Sequence, residues 1–204
     1  MAGSRGMIPV ALSMDVAFGD VVPVRHEGQE LVLWRDEEGV VHGWEDRCPH
    51  RGVRLSLGFI RNNRLACLYH GWQFDHEGRC RAIPAHPALN PPSTIRTQSF
   101  HVEEKAGLIW VALDSGDNRP LIPPAEGDWH GVRSLAIRVT LSELREALVL
   151  ETGQWRLSSD RLLALHSPEE GVTMVHLAVR DASTRLKAAD WLLGLRDSME
   201  EIRC

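Results

Sequence analysis

Cys48-Pro49-His50-Arg51-Gly52, followed downstream by Cys67-Leu68-Tyr69-His70-Gly71-Trp72, is the most informative part of this 204-residue chain. Two cysteines and two histidines come as two pairs. Each pair is compact enough for one turn to aim both side chains at a common point. Two such loops facing one another make a four-ligand pocket of two thiolates and two imidazoles. Thiolates suit a soft iron pair, and imidazoles leave one iron less electron-rich. The pattern predicts a [2Fe–2S] cluster in which two cysteines hold one iron and two histidines hold the other. Structural zinc is the competing reading. Zinc fingers, however, usually separate paired ligands by two or more residues and carry the histidine pair on a helix. Here each pair mixes Cys with His, and a glycine (Gly52, Gly71) closes each one.

Outward from these loops the pattern is one of short strands. Val21–Arg25, Glu30–Trp34 and Val40–Glu45 are rich in Val, Leu and Trp, and are broken by Glu27-Gly28 and by Asp36–Gly39. Leu65–Leu68, Ser99–Glu104 and Leu108–Leu113 extend the series, with Lys105-Ala106-Gly107 as a turn. Regular short strands with glycine turns predict a small antiparallel sandwich or barrel. Pro84–Pro92 reads as an irregular loop, and residues 115–130, dense in Gly, Pro and Asp, read as a linker. Beyond it Val132–Leu141, Arg161–His166 and Val172–Val179 read as strands, the last two joined by Ser167–Gly171. A terminal helix, capped by Asp181 or Ser183, is predicted from Ala188, Leu192, Leu195, Met199 and Ile202 at helical spacing.

The quoted residues resemble the Rieske iron–sulfur proteins, specifically the Rieske domain of aromatic-ring-hydroxylating and O-demethylating non-haem iron oxygenases. The resemblance runs from about Met7 to Asp114. It rests on Leu33-Trp34-Arg35, Glu45–Gly52, Leu57-Gly58, Cys67–Asp75, Gly78-Arg79-Cys80 and Ile83-Pro84. It implies that Cys48 and Cys67 ligate one iron of a Rieske-type [2Fe–2S] cluster, and His50 and His70 the other. The implied fold is mainly β: a Rieske-type antiparallel β-sandwich with a small cluster-binding subdomain over 7–114. A short α+β region of strands and a terminal helix follows over 131–204, after the linker.

Two departures refine this. Rieske proteins of respiratory complexes carry a disulfide between their cluster loops, and the matching positions here are Val53 and Tyr69. Those high-potential relatives also place Ser and Tyr hydroxyls against the cluster sulfurs, where this chain has Trp72 and Phe74. Fewer hydrogen bonds to sulfur stabilise the reduced cluster less, which predicts a potential near the low end of the roughly −150 to +300 mV Rieske range. Cys80 reads as a packing residue near the loops and Cys204 as a terminal residue without a partner. His42, His76, His86 and His101 read as surface or loop residues.

The resemblance next implies a catalytic domain holding a mononuclear iron through two His and one carboxylate. No such motif is present in the sequence. After the Rieske-like region only His130, His166 and His176 remain, and about 75 residues follow the linker. The C-terminal region therefore resembles the end of an oxygenase catalytic domain, truncated or degenerate, without the iron triad. A bare sheet with one helix is expected to expose apolar surface that meets something else, or else to be covered by its own helix.

Composition bounds the partners. Lys+Arg 23 against Asp+Glu 28 gives a formal charge of −5, which argues against a protein relying on phosphate attraction to nucleic acid. Apolar runs are too short to span a bilayer. Met7–Leu12, interrupted by Pro9, does not make an export signal. A cytoplasmic oxidoreductase component is expected, with a reductase or ferredoxin as electron donor, an oxygenase subunit as acceptor, and oligomeric assembly. It would have no oxygen-activating site of its own. The alternatives are a catalytically degenerate oxygenase α-like subunit in a hetero-oligomer, and a self-contained monooxygenase with an unrecognised iron site among Asp128, His130, Asp160 and His166.

Overall fold

The computed structural model describes residues 6–113, 125–150 and 154–201. The expected Ile202 and Cys204, and most of the 115–130 stretch, lie outside them. In chain order the strands are β1 (Ile8–Leu12), β2 (Val21–His26), β3 (Gln29–Arg35), β4 (Val41–Glu45), β5 (Phe59–Ile60), β6 (Leu65–Ala66) and β7 (Gln73–Phe74). They continue with β8 (Cys80–Ala82), β9 (Ser99–Lys105), β10 (Leu108–Ala112), β11 (His130–Ile137), β12 (Trp155–Leu157), β13 (Arg161–Glu169) and β14 (Val172–Val179). Two α-helices, α1 (Leu141–Ala147) and α2 (Arg185–Glu201), complete the set. The molecule is mainly β, with antiparallel pairing in every strand pair described here. No helix among the described residues is long and apolar enough to cross a membrane.

The chain divides into two compact units. One comprises residues 16–24 and 30–102, the other 1–15, 25–29 and 103–204. In the first, β3 pairs antiparallel with β4 (Leu31 opposite Glu45, Trp34 opposite His42), and β4 pairs with the start of β9. Short hairpins form a second sheet in the order β5-β6-β7-β8. Between them lies a core of Val32, Trp34, Trp44, Leu55, Leu65 and Phe74 that also contains Cys48, Cys67 and Cys80. Three carboxylates organise its turns. Asp36 Oδ1 accepts from the Glu38 and Val40 amides, at 3.0 and 2.8 Å. Asp75 Oδ1 does the same for Glu77 and Arg79, at 3.1 and 3.0 Å. Asp46 accepts from the amide and hydroxyl of Ser56, at 2.7 and 2.6 Å. Each replaces a missing strand partner at a turn with a side-chain acceptor.

In the second unit β11, β14, β13 and β12 form one antiparallel sheet in that order. It is apolar on both faces. Leu163, Leu165, Val175 and Leu177 pack with Ala188 and Leu192 of α2 and Leu144 of α1. The alternate positions Leu162, Ala164 and Ala178 pack with Leu12, Leu108 and Trp110 of β1 and β10, and with Trp129. This resolves the expectation of an uncovered sheet: the helices cover one face and the β1–β10 pair covers the other.

Boundaries shift where local hydrogen bonding outweighs β propensity. The strand expected over Val132–Leu141 ends at Ile137, because Thr140 caps α1. Its hydroxyl accepts from the Glu143 amide at 3.3 Å, while Glu143 Oε2 accepts from the Thr140 amide at 2.7 Å. The turn is shorter than the expected Ser167–Gly171. β13 continues to Glu169 through a register shift after His166, and the reversal is Glu170-Gly171, with Gly171 at φ 75°. Leu65–Leu68 stops at Ala66, where the Cys67 loop begins. At α2 the Asp181 side chain accepts from the Ser183 amide at 2.8 Å and caps a short 3-10 turn that leads into the helix.

Candidate [2Fe–2S] centre

The two loops carrying Cys48 and Cys67 have the same backbone construction. Cys48 N–H donates to Val53 O (2.8 Å) and Gly52 N–H donates back to Cys48 O (2.8 Å). Cys67 N–H donates to Trp72 O (2.9 Å) and Gly71 N–H to Cys67 O (2.9 Å). Each loop closes through a glycine in the left-handed region, Gly52 at φ 71° and Gly71 at φ 69°, which a residue with a Cβ adopts only at a cost. Glycine four positions after each cysteine is thus a closure device, independent of whether the histidine falls two or three positions on.

This closure separates the four expected ligands into two ends. Cys48 and Cys67 are 3% and 2% exposed and lie in the same core cluster. Burial pushes the Cys48 thiol up to about 11, and the neighbouring Cys67 thiol adds to the effect. At the other end the rings of His50 and His70 approach to 4.7 Å edge-on, with His70 exposed. Desolvation first, then the neighbouring His70 and Arg51, hold the His50 imidazole below its usual range. Trp72 stacks flat on His50, at 4.2 Å and 6°.

Among the described residues no three His, Cys, Asp or Glu side chains converge as one metal ion would require. A sulfur pair at a dry end and a nitrogen pair at a wet end suit a two-iron group that takes its ligands two by two. The donor set fits a [2Fe–2S] cluster. Deprotonating and charging a buried thiol pair is unfavourable unless a cation compensates, and a bound iron supplies that compensation.

The remaining sequence candidates sit elsewhere. Cys80 is buried in the core cluster with the two loop cysteines and, like them, is a free thiol. Tyr69, in the loop, is 55% exposed. His76, His86 and His101 are exposed, but His42 is not the surface residue expected. It lies in β4 with its Nε2 2.8 Å from Asp36 Oδ2 and its ring against Trp34. In the second unit His166 and His176 are buried neighbours, 3.1 Å between Nδ1 and Nε2, and His176 Nδ1 meets Ser134 Oγ at 2.8 Å. Asp128 and Asp160 are exposed while His166 is 2% exposed, so the alternative iron-site residues are not brought together. The Asp46–Ser56 and Asp75 turns, which support the loops from behind, escape the sequence reading. Asp-x-Glu-Gly at Asp75–Gly78 is a turn signature that points to one of them.

A family profile, the Rieske [2Fe-2S] domain, matches residues 6–100. Among curated proteins the chain is 42% identical over 114 residues to the oxidoreductase NdmD of Pseudomonas putida, covering 55% of this chain and 19% of that one. It is 32% identical over 169 residues to the phthalate 4,5-dioxygenase oxygenase subunit of Pseudomonas putida, covering 81% of this chain and 38% of that one. The chain thus spans less than two fifths of the length of these curated relatives. Among solved structures, NdmA of Pseudomonas putida CBB5 shares the fold with a TM-score of 0.79 at 20% identity, over 96% of this chain and 81% of that one. Profile, relatives and loop geometry converge: residues 6–100 are a Rieske [2Fe–2S] domain, and the chain is homologous to the Rieske oxygenases.

Proposed function

We propose that this chain is the one-electron component of an oxygenase system, taking single electrons from a reductase or ferredoxin and delivering them to a mononuclear iron centre on a partner chain. Cys48 and Cys67 hold one iron and His50 and His70 the other. When bound, the cluster supplies storage for one electron at a time. The observation that carries this reading is the polarity of the site, with both thiols in the core and the half-buried His50 ring against the exposed His70 ring at its outer end. The buried thiols exclude water from the sulfur end. His50 and His70 offer their outer ring nitrogens to an incoming partner, and the stacked Trp72 fixes the orientation of His50. The relative named an oxygenase subunit supports an acceptor of that class.

An anaerobic reductive titration tests this. One electron per chain should bleach the visible bands and develop a half-integer-spin EPR signal. Uptake of two electrons, or of none, would contradict it. The likeness to an oxygenase subunit over 81% of the chain favours a second reading, an α-like subunit built into a hetero-oligomer. A tight, stoichiometric complex on purification with a full oxygenase would distinguish it from transient exchange.

A further inference from the structure

The two cluster loops lie in a stretch of one-sided charge. Residues 47–74 hold five arginines and no aspartate, glutamate or lysine, whereas the other 176 residues hold 18 basic and 28 acidic side chains. With histidines counted as neutral, the negative balance of the chain lies entirely outside this stretch. The two carboxylates that bound it in sequence are used inside the fold. Asp46 is buried and accepts from Ser56, and Asp75 is buried with Arg81 and two turn amides on its oxygens. Arg54 is taken by Glu30. The side chains of Arg47, Arg51, Arg61 and Arg64 make no ion pair or hydrogen bond among the described residues, and the first three are exposed. Four large apolar side chains of the same stretch, Leu57, Phe59, Leu68 and Tyr69, are exposed as well.

These residues surround the outer end of the cluster site, all within the first unit. Tyr69, the single tyrosine of the chain, lies 3.8 Å ring to ring from His70, which stands 4.7 Å from His50. Arg51 follows His50 directly. Arg47 reaches across the first loop, its Nε 3.2 Å from the position a Cβ on Gly52 would take. Phe59 pairs with Ala66, immediately before Cys67. Arg61 and Arg64 close the β5–β6 turn through reciprocal backbone bonds of 2.9 and 3.1 Å. From there Arg61 lines a cleft with Gln73, Pro84 and Leu89. Pro84 Cγ is 3.0 Å from a Cβ built at Gly71, the residue that closes the second loop. Arginine and exposed aromatics without lysine or carboxylates are the composition of a protein–protein interface core.

We infer that the rim of the two loops is the docking surface for the electron donor, a protein presenting clustered carboxylates, with Leu68 and Tyr69 as apolar anchors and Arg47, Arg51 and Arg61 as the charges that select it. The inference rests on the electron-transfer reading above and deepens it by naming the class of donor. An acidic protein is repelled by the charge on the rest of the chain and attracted at the rim, so docking brings it against His70 and His50. One electron passes per encounter: the donor is oxidised by one equivalent and the cluster reduced by one. RNA would meet the same arginines, but the apolar side chains set among them fit a protein partner.

The test is binding and reduction of the holoprotein by an acidic plant-type ferredoxin. Anaerobic calorimetric titration with oxidised ferredoxin should give a Kd that weakens as salt is raised. R51E/R61E should weaken it by about tenfold or more at low ionic strength and by less at high. L68A/Y69A should weaken it at both, because apolar contact is not screened. R61E alone, outside both loops, carries the charge test should reversal beside His50 disturb the cluster, whose loading is read by iron content and EPR. R133E/K187E, on exposed residues of the other unit, should bind as the parent does. Equal weakening by the rim and control variants, no weakening by the rim variants, or equally tight binding of a single-stranded oligouridine would overturn the docking surface. Stopped-flow mixing separates this from the reading beneath it. A holoprotein that dithionite reduces but ferredoxin neither binds nor reduces would overturn the rim alone. A holoprotein that takes no electron from either would overturn the electron-transfer reading, and the donor with it.

Discussion

Gly58→Ala is a sharp probe of how the second cluster loop is held. Gly58 has φ −81° and ψ −165°, a conformation alanine adopts freely, so the substitution carries no backbone penalty of its own. What it meets is backbone. A Cβ built there would stand 2.3 Å from the carbonyl oxygen of Ala66 and 2.9 Å from that of Leu55, and real Cβ atoms essentially never approach within 3.0 Å. The β5–β6 pairing must therefore open by at least the 0.7 Å between 2.3 and 3.0 Å. Neither neighbour is a flexible side chain that could swing away. Overpacking of this kind costs about 1–3 kcal/mol, with the upper end expected where backbone must move. Ala66 immediately precedes Cys67, so the displacement passes directly into the loop. The assay is iron and acid-labile sulfide per chain after anaerobic reconstitution, with a urea melt followed by the visible bands. A loss of about 3 kcal/mol shifts the midpoint by roughly 1–3 M, with reduced cluster occupancy. Gly194→Ala in α2 is the control: its added Cβ meets nothing within 4 Å, and removing a helix-interior glycine should stabilise by about 0.5–1 kcal/mol. A Gly58→Ala protein with wild-type occupancy and an unchanged midpoint would refute this account of the loop.

Replacing Cys48 or Cys67 with Ser should leave the purified protein without visible absorption and lower the melting temperature of the unit that holds the loops, because cluster binding and folding are coupled. The midpoint potential, read by spectroelectrochemistry, should fall near the low end of the roughly −150 to +300 mV range, since Trp72 and Phe74 offer the sulfurs no hydroxyl. Acid should weaken the second unit through its buried histidines. Burial first, then the nearby His26, lowers His166 to about 3, and burial holds His176 well below 6.5. Between about pH 6.5 and 3 the unfolded chain binds the extra protons. Stability is therefore full above pH 6.5 and falls by up to about 1.4 kcal/mol per pH unit per histidine below it. Denaturation at pH 5 and 7 measures this, and His176→Gln should flatten the slope. Thr140→Ala removes the α1 cap and should cost about 1 kcal/mol in a thermal melt.

The loops are legible in the sequence because their chemistry is local. A cysteine, a histidine and a closing glycine within five residues specify the turn that carries the proposed ligands, and Gly52 and Gly71 take the backbone geometry that pattern needs. The hairpin turn Glu27-Gly28 is equally legible, and both residues lie at positive φ. What escapes depends on distant partners. Met7–Leu12 reads in isolation only as a short apolar run broken by Pro9, whereas Leu12 is fully buried in one cluster with Leu162 and Ala164, whose alternation with Leu163 and Leu165 buries both faces of one strand. Trp129 looks like linker by composition and is 8% exposed with Arg180 stacked on its ring at 4.8 Å. α1 is hidden although Thr140-Leu141-Ser142-Glu143 is a capping box, because the Val and Ile residues before it dominate the local pattern. His42 reads as a surface residue because Asp36, its partner across the hairpin, is brought there only by the turn.

The most direct test of the central claim is electron–nuclear double resonance on the reduced protein, grown once with natural-abundance and once with ¹⁵N-labelled histidine. Two coordinated imidazoles, from His50 and His70, should appear as two nitrogen couplings that change on labelling, alongside two irons and two sulfides per chain. A signal without nitrogen couplings, or a colourless chain that binds a single zinc after reconstitution, would contradict it.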